Sequence, residues 1–151
     1  MLIEERFRVK APIQQVWDFM LDPEKIGPCV PGCERIQVVG DSVYESSVKI
    51  KVGFIALTMK AQTTITEVNP PRRLTSVTEG HDALKAGSFY QESVVELTDI
   101  SDNEVEVFYS ANTRVVGKLS TFGEKVMRAT AKKLGEHFAR NIQERLEEPR
   151  G

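Results

Sequence analysis

The hydrophobic pattern of this chain changes its period once, and this change constrains the fold more than any other feature. From about residue 34 to residue 114, apolar residues recur at every second position, as Ile55, Leu57 and Met59 do, which is typical of strands with one buried face. Over residues 119–147 they recur every three and four positions, which is typical of one amphipathic helix. No helical segment separates the strands, so a doubly wound parallel sheet is excluded. The pattern predicts a meandering antiparallel sheet followed by a long C-terminal helix.

The N-terminal segment adds one strand and one or two short helices. Apolar and charged residues alternate over residues 2–10, which indicates a half-buried strand. Pro12 suits the first position of a helix, because its missing N–H would be unpaired there. The apolar face of this helix consists of Ile13, Val16, Trp17 and Met20. With six further strands up to residue 114, we expect an α+β fold with a seven-stranded sheet, in a single domain spanning residues 1–151.

Composition excludes several classes of protein. The chain has 151 residues, with 20 Lys and Arg against 22 Asp and Glu, and this net charge of −2 argues against nucleic-acid binding. No apolar run approaches the roughly 18 residues of a spanning helix. The N-terminus lacks the basic and apolar regions of a signal peptide. We therefore expect a soluble, cytoplasmic protein with at most peripheral contact with the inner face of a membrane.

Two glycines, Gly123 and Gly135, fall within the predicted C-terminal helix. Each glycine inside a helix costs about 1 kcal/mol of stability relative to alanine. Close packing of the helix against the sheet would explain them. The alternative is that they leave space for a ligand beneath the helix.

The order of elements and several local segments resemble a known family. One strand, short helices, six strands and a long helix form the layout of the START/SRPBCC helix-grip superfamily, in which a curved sheet surrounds the C-terminal helix. The segment Cys29-Val30-Pro31-Gly32-Cys33-Glu34 resembles the N-terminal signature of the carbon monoxide dehydrogenase G-subunit (CoxG) family. Further matching segments are Ala11-Pro12, Val16-Trp17, Asp22-Pro23-Glu24, Tyr44, Lys49-Ile50-Lys51-Val52-Gly53, Val116-Gly117-Lys118-Leu119, Phe122-Gly123 and Ala131-Lys132-Lys133. The chain departs from the family pattern at Phe54, where proline is frequent, and at Val116, where glycine is frequent.

This resemblance implies an accessory protein of molybdenum-containing carbon monoxide dehydrogenases and related hydroxylases. Such a protein would bind a hydrophobic molecule, such as a quinone or a lipid, and help couple the enzyme to the membrane electron chain. Its partners would be that ligand and the subunits of the hydroxylase. Two alternatives remain open: a polyketide cyclase/dehydrase-like enzyme that uses Tyr109, Glu79 or His81, and a non-catalytic interaction module with a filled core. We favour a binding protein over an enzyme.

The residues that usually make metal or nucleophilic sites are scarce. Cys29 and Cys33 are the two cysteines, and a zinc site would need two more ligands from His81 and His137, which are distant in the sequence. Two reduced thiols are therefore favoured over zinc or a regulatory disulfide. His81 precedes Asp82, but adjacent residues on an extended chain point to opposite sides, so a catalytic dyad is disfavoured. We expect no metal and no resident cofactor.

The candidate ligand-binding residues are those that face inward from the sheet and the terminal helix. Gln91 and Tyr109 share their parities with apolar neighbours, and a buried polar group needs a partner. We expect these two side chains to orient a carbonyl or hydroxyl group of an apolar ligand. The full set is Trp17, Ile50, Leu57, Met59, Phe89, Gln91, Tyr109, Phe122, Val126, Met127 and Leu134.

Lys125, Arg128 and Lys132 follow one face of the terminal helix at spacings of three and four. A solvated face is the simplest explanation. The alternative is docking to an acidic protein partner or to anionic lipid.

Overall fold

The computed structural model describes residues 1–85 and 87–147, which form one antiparallel sheet with helices against one of its faces. The sheet has seven strands in the order β1-β7-β6-β5-β4-β3-β2. The strands are β1 (Leu2–Val9), β2 (Cys33–Gly40), β3 (Val43–Val52), β4 (Ile55–Asn69), β5 (Arg73–Asp82), β6 (Gly87–Ser101) and β7 (Glu104–Gly117). The helices are α1 (Ile13–Leu21), α2 (Pro23–Ile26) and α3 (Gly123–Leu146), with 3-10 turns at Gly27–Cys29 and Lys118–Phe122. The predicted seven-stranded sheet and long C-terminal helix are confirmed.

Strand β5 is longer than the sequence pattern suggested. The alternation of side chains predicts a strand over residues 73–80, but pairing with β4 continues through His81 and Asp82. The sequence also predicts a turn at residues 99–103, but residues 99–101 belong to β6, because pairing with β7 continues to Ser101 across a bulge. Backbone hydrogen bonds, which the side-chain pattern does not reveal, set these ends.

Pro12 precedes α1 instead of forming its first residue. Its φ of −64° suits a helix, but its ψ of 147° is extended, so the helix begins at Ile13. Proline restricts only φ, and ψ here follows the turn from β1 into the helix.

The buried side chains on the inner face of the sheet form two separate apolar clusters. The first, which we call the α1 cluster, joins α1, the end of β1 and the C-terminal half of α3. It contains Val9, Ala11, Val16, Trp17, Phe19, Cys29, Leu97, Val105, Val107 and Ile142. The second, which we call the β3–β4 cluster, lies at the opposite end of the inner face. It contains Val52, Leu57, Met59 and Leu119, with Ile50, Phe89, Val115, Phe122 and Met127 packed against them.

The terminal helix is attached to the rest of the molecule mainly through its C-terminal half. Its two buried residues are Ala139 and Ile142, and no residue from 123 to 134 is buried. The helix also starts later than residue 119, since a 3-10 turn occupies Lys118–Phe122. Gly123 links this turn to α3 with a positive φ of 82°, so its glycine serves the backbone conformation and not close packing.

Replacement of Ile142 should test this unequal attachment. Ile142 is fully buried in the α1 cluster, so Ile142→Ala should lower the free energy of unfolding by about 2–5 kcal/mol. Val126 on the same helix is 38% exposed, and Val126→Ala should change stability by less than about 0.5 kcal/mol. Urea unfolding followed by circular dichroism measures both. Equal losses for the two variants would show that the whole helix is packed on the sheet.

Candidate ligand-binding site

A band of polar side chains crosses the inner face of the sheet between the two apolar clusters. In one row, neighbouring strands place Thr63 opposite Thr78 and Gln91 opposite Thr113. The next row contains Ser76 and Ser93. We call this band the polar belt, and Tyr44 completes it on β3, opposite Thr63. All but Ser93 are partly exposed although they face the helices, so solvent-accessible space lies above the belt.

Hydroxyl pairs across the strands stabilise this belt. The hydroxyls of Thr63 and Thr78 are 2.8 Å apart, and those of Ser76 and Ser93 are 2.6 Å apart. Among the described residues, no buried side-chain nitrogen or oxygen atom lacks a hydrogen-bond partner. The belt is therefore stable without a ligand, because its groups satisfy one another.

A directed chain of hydrogen bonds ends at the phenol of Tyr109. The Thr113 hydroxyl donates to the Gln91 amide oxygen at 2.9 Å, which orients the amide. The Gln91 amide nitrogen then donates to the Tyr109 hydroxyl oxygen at 3.4 Å. Since this oxygen acts as the acceptor, its own hydrogen is available to another group. The geometry suits donation of a hydrogen bond to a carbonyl oxygen.

The electrostatic environment keeps this phenol protonated. Burial raises the pKa of Tyr109 above its ordinary value near 10, and the hydrogen bond from Gln91 opposes this only in part. Tyr109 is therefore a neutral donor at neutral pH.

The structure adds a carboxylate that sequence reasoning missed. Glu5 lies on the inner face of β1, partly buried and directly opposite Tyr109. A methyl group at Gly135 would come within 3.4 Å of the Glu5 side chain, so the glycine of α3 lies over this carboxylate. The signal was present in the alternation, because Glu5 occupies the inward position between Ile3 and Phe7.

A cavity of about 160 Å³ adjoins the belt on the side of α1 and α2. Met20, Leu21 and Ile26 form one wall, and the hydroxyls of Tyr44, Thr63 and Ser76 lie on the sheet side. Sequence reasoning did not select these residues, because they become one surface only when α2 folds over β3, β4 and β5.

Nine of the eleven predicted site residues occupy three regions. Ile50, Leu57, Met59, Phe89, Phe122 and Met127 gather in the β3–β4 cluster. Trp17 lies in the α1 cluster, whereas Gln91 and Tyr109 meet between the two. Leu134 is partly buried on α3. Val126 departs from its expected inward position, with 38% of its surface exposed, because the inward face of this half of α3 is formed by Met127, Thr130, Ala131 and Leu134. A role of these residues in binding stays a prediction.

Glu79 and His81 face away from this site. They alternate along β5 with Thr78, Gly80 and the buried Asp82, so they emerge on the outer face of the sheet. There they line a separate open groove of about 780 Å³. Of the three residues considered for a cyclase-like enzyme, Glu79 and His81 are therefore separated from the inner site by the sheet, and only Tyr109 faces it.

Cys29 ends the 3-10 turn at Gly27–Cys29, and Cys33 begins β2, so the two cysteines flank the connection between these elements. Both thiols are free, and burial is the main cause that raises the pKa of each. The Asn141 amide of α3 donates to the Cys29 carbonyl at 3.0 Å. Gly32 has a φ of 78°, and a side chain there would overlap the Lys49 carbonyl oxygen. Within residues 1–85 and 87–147, no three His, Cys, Asp or Glu side chains are grouped as metal ligands would be.

The three basic residues predicted to follow one face of α3, Lys125, Arg128 and Lys132, are exposed but not equivalent. The Arg128 guanidinium donates to the Leu2 carbonyl at 2.8 Å and pairs with Glu124 at 3.0 Å. Arg128 therefore ties the start of β1 to the helix, whereas Lys125 and Lys132 have no ion pair in the part of the chain that the structure describes.

No helix within the described ranges is long and apolar enough to cross a membrane.

Comparisons with known proteins agree with this architecture. The family model of the carbon monoxide dehydrogenase G-subunit (CoxG) matches residues 6–147. No curated protein sequence matches the chain. A conserved protein from Geobacillus kaustophilus has a similar structure, with a TM-score of 0.90 and 23% identity over 97% of this chain and 95% of that one.

Two further solved structures have the same fold. A START superfamily protein from Mycobacterium smegmatis has a TM-score of 0.78 and 13% identity, covering 97% of each chain. The Zhui aromatase/cyclase from Streptomyces sp. R1128 has a TM-score of 0.73 and 12% identity, over 97% of this chain and 93% of that one. Similarity at this level of identity shows the fold alone, which is the START/SRPBCC helix-grip fold.

The pKa of Tyr109 predicts a specific alkaline behaviour. Above about pH 10 the unfolded chain ionises this phenol and the folded chain does not, so the free energy of unfolding should fall as pH rises towards the folded-state pKa. Tyr109→Phe should remove this part of the fall. Urea unfolding between pH 8 and 11 measures it, with tyrosinate absorbance as a second readout. An unchanged slope in the variant would show that Tyr109 is solvated.

Proposed function

Because this chain belongs to the carbon monoxide dehydrogenase G-subunit (CoxG) family, we propose that it binds an apolar molecule bearing a carbonyl or hydroxyl group. A quinone or a lipid has this chemistry. The protein serves as an accessory to a molybdenum-containing carbon monoxide dehydrogenase or related hydroxylase and catalyses no reaction itself. The observation that carries the proposal is the hydrogen-bond chain from Thr113 through Gln91 to Tyr109, between two apolar clusters.

The placement of Tyr109 favours a ligand with a carbonyl oxygen. The phenol is neutral at neutral pH and already accepts a hydrogen bond, so it can donate its own hydrogen. Apolar side chains on both sides of the belt suit the rest of such a molecule. A ligand without a polar group would gain no hydrogen bond from this phenol. The site therefore discriminates between carbonyl compounds and plain hydrocarbons.

Binding of a ring-sized ligand requires the N-terminal half of α3 to move away from the sheet. The cavity of about 160 Å³ is smaller than the roughly 300–1,000 Å³ of pockets for drug-sized ligands, and its lining includes neither Tyr109 nor a residue of α3, so a ligand at Tyr109 needs further space beneath this helix. The N-terminal half of α3 has no buried residue and is held by the partly buried Met127 and by the bond from Arg128 to the Leu2 carbonyl, so it is the segment that can lift from the sheet at least cost. The C-terminal half stays in place through Ile142 and the Asn141 amide.

An enzymatic function, with Glu5 as the base, is the second candidate. A carboxylate opposite a protonated phenol could remove a proton next to a carbonyl while Tyr109 protonates the oxygen, as a cyclase would require. Turnover of a linear polyketide thioester, abolished in Glu5→Gln, would favour the enzyme. A binding protein would show no turnover in either form.

Binding of a water-soluble, short-chain ubiquinone tests the proposal. Tyr109→Phe should weaken binding by about 2–10-fold, which corresponds to the loss of one hydrogen bond of about 0.5–1.5 kcal/mol. Tyr90→Phe removes a phenol from the outer face of the sheet and should leave the affinity unchanged. Isothermal titration calorimetry measures all three proteins.

A matched ligand separates hydrogen bonding from packing. A prenylated benzene without carbonyl groups should bind wild type and Tyr109→Phe equally. If the wild type binds neither compound, or if Tyr109→Phe weakens both to the same extent, the proposed role of Tyr109 is wrong.

A further inference from the structure

Two large apolar side chains project fully into solvent at the tips of neighbouring hairpins. Phe54 is 102% exposed on the β3–β4 hairpin, and Leu84 is 90% exposed on the β5–β6 connection. In this antiparallel order both connections lie at one end of the sheet, and β7 ends there too, with Val116 59% exposed. We call Phe54 and Leu84 the apolar tips. At the opposite end, Val38 is 61% exposed, and Val68 and Ile100 are about half as exposed as the tips, at 46% and 45%.

The same end of the sheet carries unpaired positive charge. Lys51, Lys85 and Lys118 are exposed beside the tips, and none has an ion pair within the described residues. No acidic residue occurs in the sequence at 50–58, 83–85 or 116–122. Apolar tips surrounded by lysines are complementary to a surface that is anionic at its face and apolar beneath it.

We infer that this end of the sheet docks onto the surface of a bilayer that contains anionic lipid. Phe54 and Leu84 insert into the boundary between headgroups and acyl chains, and Lys51, Lys85 and Lys118 contact the headgroups. A protein partner is less suited to this surface. Isolated projecting side chains on two separate turns do not form the continuous packed patch that a stable protein interface needs, whereas a fluid lipid phase adapts to each tip separately.

The docking surface leads directly to the candidate site. Val52 immediately precedes the turn that carries Phe54, and Leu119 follows Lys118; both belong to the β3–β4 cluster. A molecule that leaves the acyl-chain region meets this cluster before it reaches Tyr109. The inference rests here on the proposed function, because it names the lipid phase as the source of the apolar ligand.

Vesicle co-sedimentation tests the docking. The wild type should bind vesicles of phosphatidylcholine with phosphatidylglycerol more strongly than phosphatidylcholine alone. The double variant Phe54→Ser/Leu84→Ser should lose about tenfold or more of this affinity, because two large apolar side chains no longer leave water. Val68→Ser/Ile100→Ser, at the opposite end, is the matched control and should bind as the wild type does.

Two further variants probe the geometry. Replacing Lys51, Lys85 and Lys118 by Gln should remove the preference for anionic vesicles. Phe54→Trp should be quenched by lipids with brominated acyl chains, whereas Val68→Trp should not; the buried Trp17 gives the same background in both.

Three results would contradict the docking inference. Absence of wild-type binding to vesicles, equal binding by the tip and control variants, or equal quenching of both introduced tryptophans would each overturn the inference. Affinity for the short-chain ubiquinone in solution separates this result from the proposed function. Tip variants that lose vesicle binding but keep quinone affinity support both the docking surface and the proposed function. Tip-dependent vesicle binding without any quinone binding supports docking and refutes the proposed ligand.

Discussion

The attachment of α3 through its C-terminal half is the constraint on which the rest of the structure depends. Ile142 is fully buried in the α1 cluster, and the Asn141 amide binds the Cys29 carbonyl. These contacts hold the helix at one end of the inner face. Its other half lies over the sheet without a buried residue, so the polar belt beneath it keeps accessible surface. A helix packed along its full length would have closed this space.

The polar belt explains why the inner face has two apolar clusters instead of one continuous core. Hydroxyl and amide groups occupy the middle of strands β4 to β7, where aliphatic side chains would have joined the two clusters into one core. Their mutual hydrogen bonds make the belt stable when it is empty. Tyr109 ends this network as a neutral donor, and that property links the fold to the proposed binding of a carbonyl compound.

Part of the candidate site was predictable from the sequence. Gln91 and Tyr109 were selected by strand parity alone, and they form a hydrogen bond in the structure. Parity also places Glu79 and His81 on the other face of the sheet from Thr78, so the sequence alone is enough to exclude them from the inner site. Glu5 was missed although it follows the same rule. The cavity at α1 and α2 was not predictable, because Met20 and Thr63 are far apart in the chain.

The sequence by itself determined the order of strands and helices, the family, and the polar residues of the inner face, because each follows from local periodicity or local motifs. Only the tertiary structure decided that α3 is anchored at one end, that Glu5 lies opposite Tyr109 beneath Gly135, and that Phe54 and Leu84 project from the same end of the sheet. These features depend on register and on contacts between distant segments. Local periodicity carries no information about either, since it records only which side of its own strand a residue occupies.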